Sequence, residues 1–221
     1  MNPAALTDLT ARIDSKAPHA TMLLNVVNRM FAIGGKVDET RDAVVKDPRL
    51  TDVGRREKIA ETAKGLVREA LDAARPQRGA MAQVVGQRMH MKPKPLDRDN
   101  AVGELRRAEV RAFIRSQPFT KRFSVAAELV ADDEALDAVM DAPAALLGLP
   151  PDQYGHLRDV YVKRHFGAQI EKLNGLEEDC TAAGAAIDMC MTTLRNASGM
   201  HEVEFKALVD KTQAEVDAGW K

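Results

Sequence analysis

Apolar positions along this chain recur mainly at three- and four-residue steps, the period of an amphipathic helix. Met22, Leu23, Val26, Val27, Met30 and Phe31 mark a first helix, and Gly34-Gly35 predicts its end. A short polar helix is expected over 37–46, closed by Asp47-Pro48. Thr51 or Asp52 then caps a long helix with Ile59, Ala63, Leu66, Val67, Ala70, Leu71 and Ala74 on one face. Pro76 and Gly79 predict its end, and 77–90 fits a short helix or a strand. Two prolines one residue apart in Met91-Lys92-Pro93-Lys94-Pro95 exclude helix there and predict an extended linker.

Asn100 or Asp99 starts the next helix, which runs to about Ser116 with Val102, Leu105, Val110 and Phe113 on one side. Pro118 separates it from a helix around 121–130, and Asp132-Asp133-Glu134 opens another short one. Pro143, Pro150 and Pro151 punctuate the stretch after it. The last third is the most regular. Leu173, Leu176, Cys180, Ala183, Ile187, Cys190 and Leu194 step alternately by three and four, a heptad seam that predicts a helix interface. Phe205, Leu208, Val209, Thr212 and Val216 form a matching stripe on the final helix. An intramolecular helical hairpin and a contact between subunits both fit this seam.

These elements predict an all-α, oligomeric protein: a multi-helix bundle with a long C-terminal helical hairpin. Three regions are expected: an N-terminal helical region at 1–90, a Lys/Pro linker at 91–99 and a C-terminal helical region at 100–221. Composition agrees, since aromatics make up 4% of the chain while Ala, Leu, Val and Met are plentiful. No basic segment followed by an apolar run stands at the N-terminus, so no signal peptide is expected. The apolar-rich stretch 21–33 is interrupted by Asn25, Asn28 and Arg29, and no membrane segment is expected.

Charge changes the picture further. Residues 55–122 carry 17 basic and 8 acidic residues, whereas 123–221 carry 8 basic and 18 acidic. Segregation on this scale predicts a basic surface offered to nucleic acid or to the acidic part of a neighbouring copy. Arg107, Arg111 and Arg115 run down one side of their helix at four-residue steps, and with Lys92 and Lys94 they are the candidate DNA or partner contacts. Three readings fit the stripe: pairing with protein, a solvated face, and a track for phosphates. It lacks aromatic residues for base stacking.

Motifs with catalytic mechanics do not emerge: the chain has no HExxH, GxSxG, P-loop or dinucleotide-binding glycine pattern. The expectation is no enzymatic activity, no cofactor and no metal. His201 with Glu202 and Glu204 reads as a helix start with capping acids. Cys180 and Cys190 lie ten residues apart, roughly 15 Å along a helix, and are expected as two small buried apolar residues.

Two segments resemble small helical proteins encoded among the structural genes of tailed, short-tailed bacteriophages. One is Asp47-Pro48-Arg49-Leu50-Thr51-Asp52-Val53-Gly54-Arg55-Arg56-Glu57-Lys58-Ile59-Ala60; the other is 136–149, which ends in "MDAPAALLGL" and is followed by a helix containing Leu157-Arg158-Asp159. With the helices that follow them, they span about a third of the chain. The resemblance implies a virion protein made in the host cytoplasm, homo-oligomeric and in contact with other virion proteins (portal, tail or internal). An internal protein ejected near the portal is the leading expectation. A head–tail connector, a scaffolding protein and a DNA-binding regulatory module are the alternatives. The resemblance supplies no catalytic residues.

Overall fold

The computed structural model describes residues 2–93 and 99–219. It is all-helical, with no strand among the described residues. The helices in chain order are α1 (Pro3–Ala11), α2 (Ala20–Lys46), α3 (Asp52–Met89), α4 (Ala101–Ser116), α5 (Phe119–Leu129), α6 (Asp133–Met140), α7 (Ala144–Leu147), α8 (Pro151–Ser198) and α9 (Glu202–Ala218). Residues 1–84 with 173–221 form one compact unit, and residues 85–172 form a second.

Several boundaries follow local chemistry visible in the sequence. Thr51 Oγ1 accepts the Gly54 N–H at 3.1 Å, Asn100 Oδ1 that of Gly103 at 2.9 Å, and Asp132 Oδ1 that of Ala135 at 2.9 Å. His201 caps α9 in a reciprocal box. Its ring accepts from Val203, and its own N–H donates to Glu204.

Two expected stops are not stops. Gly34-Gly35 lies inside α2, which runs unbroken to Lys46 and absorbs the separate helix expected over 37–46. Two interior glycines cost about 2 kcal/mol together. Ile33 and Val37 flank them and are fully buried, each contributing about 1.5–3 kcal/mol. Continuation therefore wins. Pro76 and Gly79 lie inside α3, and the ambiguous stretch is helical to Met89. An interior proline costs about 3 kcal/mol. Around it, Ala73, Ala74, Ala80 and Val84 are buried. The same turn is bonded outward: Arg75 to the Val216 carbonyl, Gln77 to the Cys180 carbonyl, and Arg78 to the Gln213 side chain. At about 1 kcal/mol per bond, these contacts and the burial offset the lost helical bond.

In the first unit, Leu23, Val27, Met30 and Ile33 of α2 share one core with Val67, Ala70 and Ala74 of α3. Cys180, Ala183, Cys190 and Leu194 of α8 and Phe205 of α9 belong to the same core. The alanines and cysteines let backbones approach closely. The second unit has its own core of Ile114, Ala126, Leu136, Val139, Leu147, Leu157 and Tyr161.

Candidate functional site

Two of the three arginines in the basic stripe of α4, Arg107 and Arg111, pair with acids of their own chain. Arg107 is 6% exposed. Its guanidinium lies 2.9 Å from the Asp141 carboxylate and 3.7 Å from that of Asp137, both near the C-terminal end of α6. A cation there also complements the helix dipole. Nη1 makes no aligned hydrogen bond despite the 2.9 Å approach, so the contact is an ion pair of imperfect geometry. Arg111 is half-buried and pairs with Glu104, while Arg115 is exposed. Two further cations hold backbone ends. Arg164 donates to the carbonyls of Val130 and Ala131 and pairs with Asp133 at 2.8 Å. Arg122 reaches the carbonyls of Gln117 and Gly148.

Because Arg107, Val110 and Ile114 face inward, α4 presents its other side outward. Val102 is 63% exposed, Leu105 65% and Phe113 52%. The sequence grouped Val110 with these three, but Val110 packs against the core. The difference has a physical cause: the acids at the end of α6 draw Arg107 in, and the rotation that buries Arg107 and Ile114 exposes the 102/105/113 side. Arg106 and Glu109 lie on that outward side, and both are exposed.

The second unit also contains a groove of about 820 Å³, lined by Met89, Met91, Met140 and Ile170, with Tyr154 and Tyr161 in its wall. Lys92 lines it together with Arg88 and Arg158. Lys94 lies outside the described residues. The Tyr154 hydroxyl donates to the carbonyls of Met140 and Ala142. Burial raises the Tyr154 phenol, with Arg158 opposing and Asp141 adding to the shift. Tyr161 is raised by burial first and by the Asp137 carboxylate second. The Tyr154 phenol thus serves as a hydrogen-bond donor in the groove wall. Sequence reasoning passed over Tyr154 and Tyr161, since isolated tyrosines carry no spacing signal.

The heptad seam lies within the first unit. Cys180, Ala183, Cys190 and Leu194 are in its core, Leu176 and Ile187 pack against that core, and Leu173 is buried. Both cysteines are free and fully buried. Burial pushes the Cys180 thiol up to about 11, with Asp179 and Glu177 adding to it. Burial pushes Cys190 up to about 12, with Glu69 adding to it. Asp179, beside the seam, is buried: it accepts the Asp14 N–H at 3.0 Å and lies 2.7 Å from His19 Nε2. This pair fixes the 12–19 connection.

Among the described residues no group of His, Cys, Asp or Glu is arranged to hold a metal ion, and no helix is long and apolar enough to cross a membrane. Comparison with protein-family models, with curated proteins and with solved structures returns no match.

Proposed function

We propose that this chain is a non-enzymatic structural protein of a short-tailed bacteriophage particle. It acts as an internal protein near the portal that leaves with the genome, built as a helical bundle and working as an oligomer. The observation that carries the assembly part of this reading is the outward face of α4. Val102, Leu105 and Phe113 stand more than half exposed on one side of a four-turn helix, where a solitary protein gains by burying them. The setting is supported by the resemblance of the 47–60 and 136–149 segments to phage structural proteins. The inward turn of Arg107 moves weight from nucleic acid toward protein contact, since a buried, ion-paired guanidinium has little left to offer a phosphate.

Purified particles of the source virus test the reading. The chain is expected to migrate with DNA-filled particles through a density gradient. Recovery only from the soluble fraction of infected cells contradicts it.

A further inference from the structure

The outward face of α4 carries a charge pattern of its own, and the pairing it suggests rests on that face being an assembly surface. Val102, Arg106, Glu109 and Phe113 step by four, three and four, which is the spacing of alternate d and a positions in a heptad. Two apolar residues thus bracket a base and an acid along one line. The surroundings are compatible with close approach: Ala112 on the flank and Ser116 at the next position of the line are small and exposed, and Leu105 extends the apolar area.

We infer that the partner of this face is the same face of a second copy, with the two α4 helices antiparallel about a two-fold axis. In an antiparallel pair, a positions meet d positions. Val102 then lies opposite Phe113 of the other copy, and Arg106 opposite Glu109, each contact occurring twice. Turning one helix end for end converts the apolar–base–acid–apolar order into its own complement. A parallel pair sets Arg106 against Arg106 and Glu109 against Glu109, and the like charges repel.

Both charges are available. The Glu109 side chain makes no ion pair or hydrogen bond among the described residues. Arg106 reaches Glu134 at 3.5 Å, but both side chains are about two-thirds exposed, and surface pairs of this kind are weak. A contact confined to a sixteen-residue helix falls short of the roughly 1,200–2,000 Å² of a standard stable interface. The pair is therefore reversible and concentration-dependent, suited to subunits that gain strength from many contacts in an assembly.

Sedimentation equilibrium of the full chain over a concentration series reads the pairing directly. The wild-type mass rises from one chain toward two. Glu109→Arg and Arg106→Glu, each folded by circular dichroism, weaken association about ten-fold or more, because two like charges then meet at each contact. Glu109→Arg also leaves the Arg106–Glu134 contact in place, which separates pairing from folding. An equimolar mixture of the two variants recovers the two-chain mass, since an all-basic stripe then meets an all-acidic one. A wild type that stays at one chain, variants that associate as wild type does, or a mixture that fails to recover each overturns the pairing. A one-chain protein that still migrates with particles removes the pairing and leaves the virion reading. A two-chain protein missing from particles does the reverse.

Discussion

The guanidinium of Arg107 sits 2.9 Å from the carboxylate of Asp141, joining the middle of α4 to the end of α6. Removing the arginine leaves Asp137 and Asp141 with unbalanced charge beside a new cavity. A fully buried pair broken this way costs about 3–5 kcal/mol. Both acids keep about a third of their side-chain surface exposed, so about 2 kcal/mol is expected for Arg107→Ala. Arg107→Met fills the cavity and recovers part of the loss. Urea unfolding measures both, and a midpoint unmoved by Arg107→Ala contradicts the structural role.

Asp179 bonds the Asp14 N–H and His19 together against α8. Asp179→Ala leaves that N–H without its acceptor and is expected to cost about 2 kcal/mol, the range for hydrogen bonds to a charged group. Limited proteolysis should then cut within 12–19, whereas the wild type resists there. An unchanged cleavage pattern means the connection is held by other contacts.

The two thiols resist ionisation, and this sets a stability limit at high pH. Their folded values, about 11 for Cys180 and about 12 for Cys190, lie above the ordinary value of 9. Below pH 9 both states hold the proton and stability is fully present. As pH rises from 9 through the folded values, the unfolded chain releases its protons first and stability falls. Alkylation at pH 8 should be slow until the protein is unfolded, and Cys180→Ala with Cys190→Ala should flatten the alkaline decline. Rapid labelling of the native protein contradicts this account.

Glycines separate by backbone need. Gly148 ends α7 at φ 65°, in the left-handed region, with the Arg122 guanidinium standing where a Cβ would be. Gly148→Ala is expected to lose at least 1–2 kcal/mol, about the cost of the strain alone. Gly35, inside α2, has nothing within 4 Å of a Cβ, so Gly35→Ala should gain about 0.5–1 kcal/mol. Thermal midpoints read both, and shifts of the same sign contradict the distinction.

Legibility in the sequence tracked the range of the forces involved. The caps at Thr51, Asn100, Asp132 and His201 depend on side chains within three residues, and they stand where the pattern put them. The burial of Cys180 and Cys190 was equally readable, from a seam of regular spacing. Gly34-Gly35 misled because the tertiary burial of Ile33 and Val37 outweighs the local propensity of the glycines. Pro76 misled because part of the energy that carries the helix through it comes from residues far along the chain, such as Cys180 and Val216. The direction in which α4 faces was unreadable for the same reason. Asp137 and Asp141 decide it from some thirty residues away. The stripe of Arg107, Arg111 and Arg115 was therefore visible as a pattern, while its partners were not.

The measurement that tests the central claim most directly is the copy number of this chain in purified virus particles, by quantitative mass spectrometry, before and after triggered genome release. An internal protein expelled with the genome is present in full particles and lost from emptied ones, and that is the result predicted. Equal copy number in both contradicts ejection and points to a fixed connector. Absence from both contradicts the virion reading itself.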